Sequence, residues 1–155
     1  MAGIEPELCN CGALRQAARH VTKLYDEALA PCGLGLNQYS ILARLGRIGP
    51  STIQDLARHL VMDRSTLGHL LRPLASRGLV TLAIGAADRR SRIVALTPDG
   101  AVLVAKTRPL WAAAQLRFER CFGADEASAL RAVLKTVATT DFSGPESGLE
   151  ETAEV

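Results

Sequence analysis

The fold is decided by residues 51–100, STIQDLARHLVMDRSTLGHLLRPLASRGLVTLAIGAADRRSRIVALTPDG. The first apolar side chains of this stretch recur at helical spacing: Ile53, Leu56, Ala57 and Leu60. This stripe predicts a helix over 52–60. Ser51 and Gln54 stand three residues apart at its start, which is the spacing of a capping box. We therefore expect Ser51 to be the N-cap.

A second amphipathic helix follows, and Asp63 is placed to cap its N-terminus. Its apolar positions recur at helical spacing: Leu67, Leu70, Leu71 and Leu74. The opposite face is polar or small: Arg64, Ser65, Thr66, Gly68, His69, Arg72 and Ser76. None of these side chains can anchor a core, so this face is free to enter a groove. Pro73 predicts a bend in the last turn, and Gly78 predicts the C-terminal end.

Two β-prone runs, 79–84 and 93–96, flank the loop 85–92 and predict a hairpin. Three arginines occur in four residues of the loop: Arg89, Arg90 and Arg92. A basic hairpin tip suits a phosphate backbone or a minor groove. The two helices and the hairpin predict a winged helix-turn-helix, in a chain that is mainly α with a small β-hairpin wing.

Helical periodicity continues on both sides of this stretch. It predicts four further helices: about 8–30, from a cap at Asn37 to about Gly49, from Pro98 to about Phe122, and 123–140. The expected organisation is a helical dimerisation region over 1–50 and 98–141, a DNA-binding lobe over 51–97, and a disordered acidic tail over 142–155.

The flanking helices carry more apolar surface than a small winged lobe can cover. We expect them to form an obligate-type homodimer, because a two-fold protein matches a pseudo-palindromic operator with half-sites about 10 bp apart. The alternative is that these helices only cap their own domain.

Charge is distributed unevenly in this chain of 155 residues, although its net charge is only +2. The segment 58–92 holds seven arginines against two aspartates, a balance of +5, whereas the segment from Asp141 onward holds five acids and no base. Basic charge at the predicted groove-facing motif is typical of nucleic-acid binding. No apolar run approaches the roughly 20 residues of a membrane span, and no export signal is present, so a cytoplasmic location is expected.

The motif residues resemble a known family, the bacterial MarR-type regulators. The resemblance is carried by DRRSR (88–92) with LTPDG (96–100), and by MDRSTL (62–67) with RGLV (77–80). Membership would imply a homodimeric DNA-binding regulator whose recognition helices enter successive major grooves. We expect it to act as a repressor, although the sequence itself does not distinguish repression from activation. In the matching wing pair, Asp88 would orient Arg90 in the minor groove.

The residues themselves agree with this interpretation. Arg72 can pair bidentately with guanine, and Arg64, Ser65, Thr66 and His69 can reach base edges or phosphates. The alternative for each is a solvated helix face. Arg77, beside the helix end, is a candidate for a salt bridge instead.

A second resemblance, over Cys11–Tyr25, is to the organic-hydroperoxide-sensing branch of the family. It implies a reactive thiol at Cys11 with Tyr25 at the matching spacing. Arg15, one helical turn after Cys11, would favour the thiolate. We hypothesise that peroxide oxidises Cys11, together with Cys9, and changes DNA affinity. The alternative is that all four cysteines are reduced, small hydrophobes: Cys9, Cys11, Cys32 and Cys121.

The rival sensor is a small aromatic ligand in a cleft between the dimer helices and the winged lobe. Its candidate lining residues are Tyr25, Tyr39, Trp111, Arg15 and His20.

The sequence gives less support to three other functions: an enzyme, a metal-binding protein and a protein-binding module. A thiol peroxidase built on Cys9 and Cys11 has no identifiable base or oxyanion device, so no enzyme activity and no cofactor are expected. A metal site from these thiols and His20 lacks a full ligand set. A winged helix used only for protein contacts remains the alternative function, disfavoured by the arginines on both the helix and the wing.

Overall fold

A computed structural model describes residues 9–85 and 91–143 of the chain. The described helices are α1 (Asn10–Leu29), α2 (Leu36–Ile48), α3 (Ile53–Leu60), α4 (Arg64–Ser76), α5 (Pro98–Phe122) and α6 (Ala124–Thr139). The strands are β1 (Ser51–Thr52), β2 (Val80–Ile84) and β3 (Arg92–Leu96). The predicted winged helix-turn-helix is confirmed. Over the described ranges, none of the helices has the length and apolarity needed to cross a membrane.

The sheet has three strands in the order β1-β3-β2, not the two that the sequence predicts. β3 pairs antiparallel with both neighbours, and Ser51 lies opposite Val94. The pairing continues with Thr52, which lies opposite Ile93, so the backbone stays extended for one residue beyond Ser51 and Thr52 is the last non-helical residue before α3. The cap is Thr52, whose hydroxyl oxygen accepts the Asp55 N–H at 3.0 Å and donates to the Asp55 carboxylate at 2.8 Å.

The start of α2 also differs from its prediction. The helix begins at Leu36, with Gly35 rather than Asn37 at the cap. The Gly35 N–H donates to the Gln38 side chain at 3.2 Å, and the Leu36 N–H donates to Asp26 Oδ1 at 2.7 Å. The Asp26 carboxylate comes from α1, so a tertiary contact satisfies a helix terminus that local sequence would assign to Asn37.

The chain divides into two compact units, Met1–Leu116 and Arg117–Val155. The core of the first unit joins the apolar stripes of α2, α3 and α4 to the sheet. The largest fully buried apolar side chains of this unit are Leu29, Ile41, Leu42, Leu45, Leu56, Leu67, Leu71, Leu74 and Val94. The predicted inward stripe of α4 is thus confirmed, with Leu70 partly buried against the same core.

The second unit contains α6, and the apolar side chains of this helix remain exposed. Val133 is 59% exposed, and Leu134 and Val137 are about 40% exposed. Arg131 pairs with Glu119 at 3.2 Å within this unit. A helix of the single chain therefore offers apolar area to solvent. Of the predicted acidic tail over 142–155, Phe142 and Ser143 are described and exposed, and the remainder lies outside the described residues.

Candidate nucleic-acid interface

The N-terminus of α4 is organised by the carboxylate of Asp63, as the sequence predicts. Asp63 accepts the Thr66 N–H at 2.7 Å, the Thr66 hydroxyl at 2.6 Å and the Ser65 hydroxyl at 2.9 Å. These hydrogen bonds lower the pKa of Asp63 to about 2, and the two bonds from Thr66 contribute most. Both hydroxyl protons are engaged, so Ser65 and Thr66 present oxygen lone pairs outward. They are set to accept a hydrogen bond from a base amino group.

The outward side of α4 forms what we call the recognition face: Arg64, Ser65, Thr66, His69 and Arg72. All five residues are exposed, whereas Leu67, Leu71 and Leu74 of the same helix are buried. Within the described residues, Arg64 and Arg72 form no ion pair. A Cβ added at Gly68 would meet nothing within 4 Å. The helix therefore presents free cations on a polar surface that a groove could approach closely.

The turn between α3 and α4 holds a conformation that the sequence does not signal. Val61 has a φ of 53°, in the left-handed region, and is 90% exposed. A β-branched residue is strained there. The turn is held by the Met62 N–H, which donates to the Ala57 carbonyl at 3.0 Å. Sequence reasoning missed Val61 because this position ordinarily favours glycine or asparagine.

The wing is described at its base only. The Gly85 N–H donates to the Ser91 carbonyl at 3.0 Å, and Ile84 lies opposite Arg92 in the hairpin. Arg92 is exposed. The predicted contacts of Asp88, Arg89 and Arg90 lie outside the described residues. Arg92 is therefore the wing arginine that the structure places.

A cavity of about 1020 Å³ lies between α2, the end of α3 and the first half of α5. Its wall includes Tyr39 and Trp111, whose ring centroids are 6.4 Å apart. Four basic residues line it: Arg44, Arg47, His59 and Arg108. We call this the arginine-lined cavity. No carboxylate occurs among the described residues that line it. Burial raises the pKa of Tyr39, and the charge of Arg108 partly opposes that rise.

Two of the five predicted cleft residues, Tyr39 and Trp111, line the arginine-lined cavity, and the other three do not. Tyr25 is buried elsewhere and donates its hydroxyl to Gln115 at 2.5 Å. Arg15 and His20 line a separate depression on α1. The expectation that these three residues share one cleft with Tyr39 is wrong, because α1 presents them along another part of its surface.

The two N-terminal cysteines lie at the start of α1. Cys9 is its N-cap, and the Cys9 Sγ accepts the Gly12 N–H at 3.3 Å. Cys11 follows in the first turn, and both thiols are exposed and free. The alternative, in which all four cysteines are small buried hydrophobes, is therefore wrong for Cys9 and Cys11. Among the residues that the structure covers, no cluster of three metal-ligating side chains occurs.

Comparison with known proteins identifies relatives of this chain. A family model described as MarR family matches residues 34–91. The organic hydroperoxide resistance transcriptional regulator of Bacillus subtilis is 31% identical over 96 residues, which cover 62% of this chain and 65% of that protein. Matches to two further curated regulators cover 46% and 62% of their lengths, so the chain spans about half to two thirds of such relatives.

Solved structures match over a larger share of the chain. The transcriptional regulator MosR of M. tuberculosis, in complex with DNA, is 31% identical, with a TM-score of 0.70 over 85% of this chain and 99% of that one. The transcriptional repressor CouR, bound to a 23-mer DNA duplex, is 28% identical, with a TM-score of 0.76 over 89% and 99%. These relatives are named as regulators, not enzymes.

Proposed function

Because the chain belongs to the MarR family, we propose that it regulates transcription as a homodimeric repressor that binds a pseudo-palindromic operator. The recognition face of α4 enters the major groove, and the wing follows the backbone or the adjacent minor groove. The observation that carries the proposal is the recognition face itself: two arginines that form no ion pair with any described residue, a histidine and two cap-oriented hydroxyls on one exposed side of a helix.

Each polar group of the recognition face matches a hydrogen-bonding or charged group of DNA. Arg64 and Arg72 supply charge for phosphates or a bidentate bond to guanine, and His69 lies one turn before the end of the face. The oriented oxygens of Ser65 and Thr66 favour contact with an amino group of adenine or cytosine. Asp63 does not lie on the face as a free carboxylate, because its oxygens are occupied by the cap.

Self-association is supported by apolar side chains at both ends of the chain. Leu14 of α1 is 42% exposed, and α6 exposes Val133, Leu134 and Val137. Covering these residues against a second copy would remove apolar area from water. We therefore assign dimerisation to the regions 1–50 and 98–141, with the lobe 51–97 as the DNA reader.

The test is selection of genomic fragments by the purified full chain, followed by titration of a selected fragment over a salt series. A steep loss of affinity with salt is expected, because several phosphate contacts release counterions. Binding that is absent or insensitive to salt counts against the proposal. That result favours a winged helix used for protein contacts.

A small aromatic anion is the first candidate for the signal that modulates DNA affinity. The arginine-lined cavity combines aromatic walls with four basic residues and ends at Leu60 and Met62, beside the turn into α4. A ligand seated there would contact the segment that positions the recognition helix. Benzoate and 2-naphthoate, with uncharged benzamide as the control, test this candidate by thermal shift and by release of bound DNA.

Peroxide is the second candidate, and the start of α1 favours it. Cys9 and Cys11 are exposed at the N-terminus of α1, and Arg15 follows one turn after Cys11. The test compares Cys11→Ser with Cys121→Ser, an exposed thiol on α5. Peroxide should release DNA from the second variant and not from the first. Equal release from both variants removes Cys11 from the mechanism.

A further inference from the structure

The C-terminal end of α4 is closed by a compact turn, residues 77–79. The Leu79 N–H donates to the Leu74 carbonyl at 3.0 Å, and the Gly78 N–H donates to the Ala75 carbonyl at 2.9 Å. Gly78 has a φ of 70°. This pair of bonds is the Schellman arrangement, which fixes the direction in which the chain leaves a helix. Side chains of this turn therefore start from a defined position.

One such side chain reaches a distant part of the chain. Arg77 Nη1 donates to the carbonyl of Gly33 at 2.7 Å, and among the described residues Arg77 forms no salt bridge of the kind considered from sequence. Gly33 lies in the connector between α1 and α2, with a φ of 65°. A Cβ at Gly33 would lie 3.5 Å from Nη2 of Arg77, so the guanidinium packs directly against this backbone.

The α1–α2 connector is itself held in place. Asp26 of α1 accepts the Leu36 N–H at 2.7 Å, and Gln38 of α2 accepts the Gly35 N–H at 3.2 Å. The connector is thus bonded to the helices on both of its sides. The contact of Arg77 with Gly33 joins the end of α4 to a fixed point.

The same turn is also bonded to the start of α5. The Thr97 hydroxyl donates to the Gly78 carbonyl at 2.7 Å and accepts the Gly100 N–H at 3.0 Å. A Cβ at Gly100 would lie 2.2 Å from the Leu79 carbonyl oxygen, so the backbone of α5 packs directly on the turn. Two contacts from outside the helix-turn-helix therefore converge on residues 77–79.

We propose that Arg77 is a positioning residue for DNA binding. Its bond to Gly33 holds α4 at a set orientation to the α1–α2 connector, and this orientation sets how the recognition face is presented to an operator half-site. The inference rests on the proposed function, because only a homodimer with two α4 helices has a half-site spacing to match. Arg77 itself contacts no DNA.

The experiment compares Arg77→Met, which keeps the stem and removes the donors, with Arg77→Lys, which keeps a donor. Affinity is measured for a selected operator and for duplexes whose half-sites are moved apart by one or two base pairs. Arg77→Met should lose about tenfold in affinity at the native spacing, because a charged hydrogen bond is removed. It should also discriminate less between spacings, whereas Arg77→Lys should recover most of both properties.

The salt series separates positioning from contact. Arg77→Met should keep the wild-type dependence of log affinity on log salt, whereas loss of a phosphate contact lowers that slope by about one. A lowered slope, or wild-type affinity and spacing discrimination in Arg77→Met, overturns the inference. Because Arg77 is exposed, the variant should fold, and thermal unfolding checks this. Failure of the wild-type chain to bind any operator overturns the proposed function itself, which is a distinguishable result.

Discussion

The chain presents its basic side chains on two surfaces of opposite shape. The recognition face of α4 projects outward, is polar throughout, and has open space beside it at Gly68. The arginine-lined cavity is concave and sets Arg44, Arg47, His59 and Arg108 around aromatic and aliphatic walls. Neither surface has a carboxylate to neutralise its arginines within the described residues.

Shape rather than charge separates the partners of the two surfaces. A projecting polar helix can follow a groove and contact successive base pairs of a long polyanion. A concave surface with aromatic walls encloses a small amphipathic anion and excludes a duplex. A count of arginines therefore cannot distinguish a DNA-binding surface from an anion-binding cavity. Variants on each surface should affect the binding of one ligand only.

Arg72→Ala should have the largest effect. It removes an exposed cation from the C-terminal end of the recognition face, and we expect operator affinity to fall by about 10- to 100-fold. Fluorescence anisotropy with a selected operator measures the loss, and binding of 2-naphthoate serves as the internal control. An equal loss of naphthoate affinity would show that the two surfaces are not separate.

Arg108→Ala should have the second-largest effect, and this effect should fall on anion binding rather than on operator binding. Its charge acts on Tyr39 at the cavity wall, and its removal should weaken 2-naphthoate binding about tenfold. Isothermal titration measures this, with benzamide as the neutral control. Operator affinity without ligand should stay at the wild-type value. Unchanged naphthoate binding contradicts the assignment of the arginine-lined cavity to an anion.

Gly68→Ala should stabilise the protein and weaken DNA binding. Alanine is favoured over glycine in a helix interior by about 1 kcal/mol, and the added methyl group meets no protein atom. Urea unfolding should show the gain, while the methyl group should obstruct close approach of the groove. Gly46→Ala, on α2, is the matched control and should leave DNA affinity unchanged. A Gly68→Ala variant with wild-type DNA affinity would indicate that this face does not dock closely.

Asp63→Asn should have the smallest effect, a loss of stability that is present at neutral pH and disappears in acid. The folded-state pKa of Asp63 is about 2, below its ordinary value near 4. A lowered folded-state pKa contributes stability above the unfolded-state pKa, and this contribution disappears as the pH falls from about 4 to about 2. Asparagine also caps helices but does not titrate. The difference in melting temperature between wild type and variant should therefore shrink over this window, and a constant difference would contradict the cap assignment.

Much of the DNA-binding lobe could be predicted, because the sequence signals that specify it are local. The spacing of Leu67, Leu71 and Leu74 identifies the buried side of α4, and the remaining positions follow from helix geometry. Asp63 and Gly78 are predicted correctly as the boundaries for the same reason. The errors occur where a distant residue intervenes: pairing of Thr52 with Ile93 extends the strand past Ser51 and moves the cap of α3 to Thr52, and Asp26 moves the start of α2 away from Asn37.

The cavity and the anchoring of α4 could not be predicted in the same way. The sequence predicts Tyr39 and Trp111 as cleft residues because they are aromatic, but it does not predict the arginines that line the same cavity. In the structure, Tyr25 and Arg15 do not line this cavity. Arg77 and Gly33 are 44 residues apart, and a bond to a backbone carbonyl leaves no complementary charge in the sequence.

The sequence by itself determined the helices, the hairpin and the recognition face, because periodicity and capping act over a few residues and decide which side of each element is buried. Only the tertiary structure decided how that face is held and what lies behind it. The turn after α4 receives contacts from the α1–α2 connector and from α5, and the arginine-lined cavity is formed by three helices. These features depend on packing between elements distant in the chain, so no local pattern specifies them.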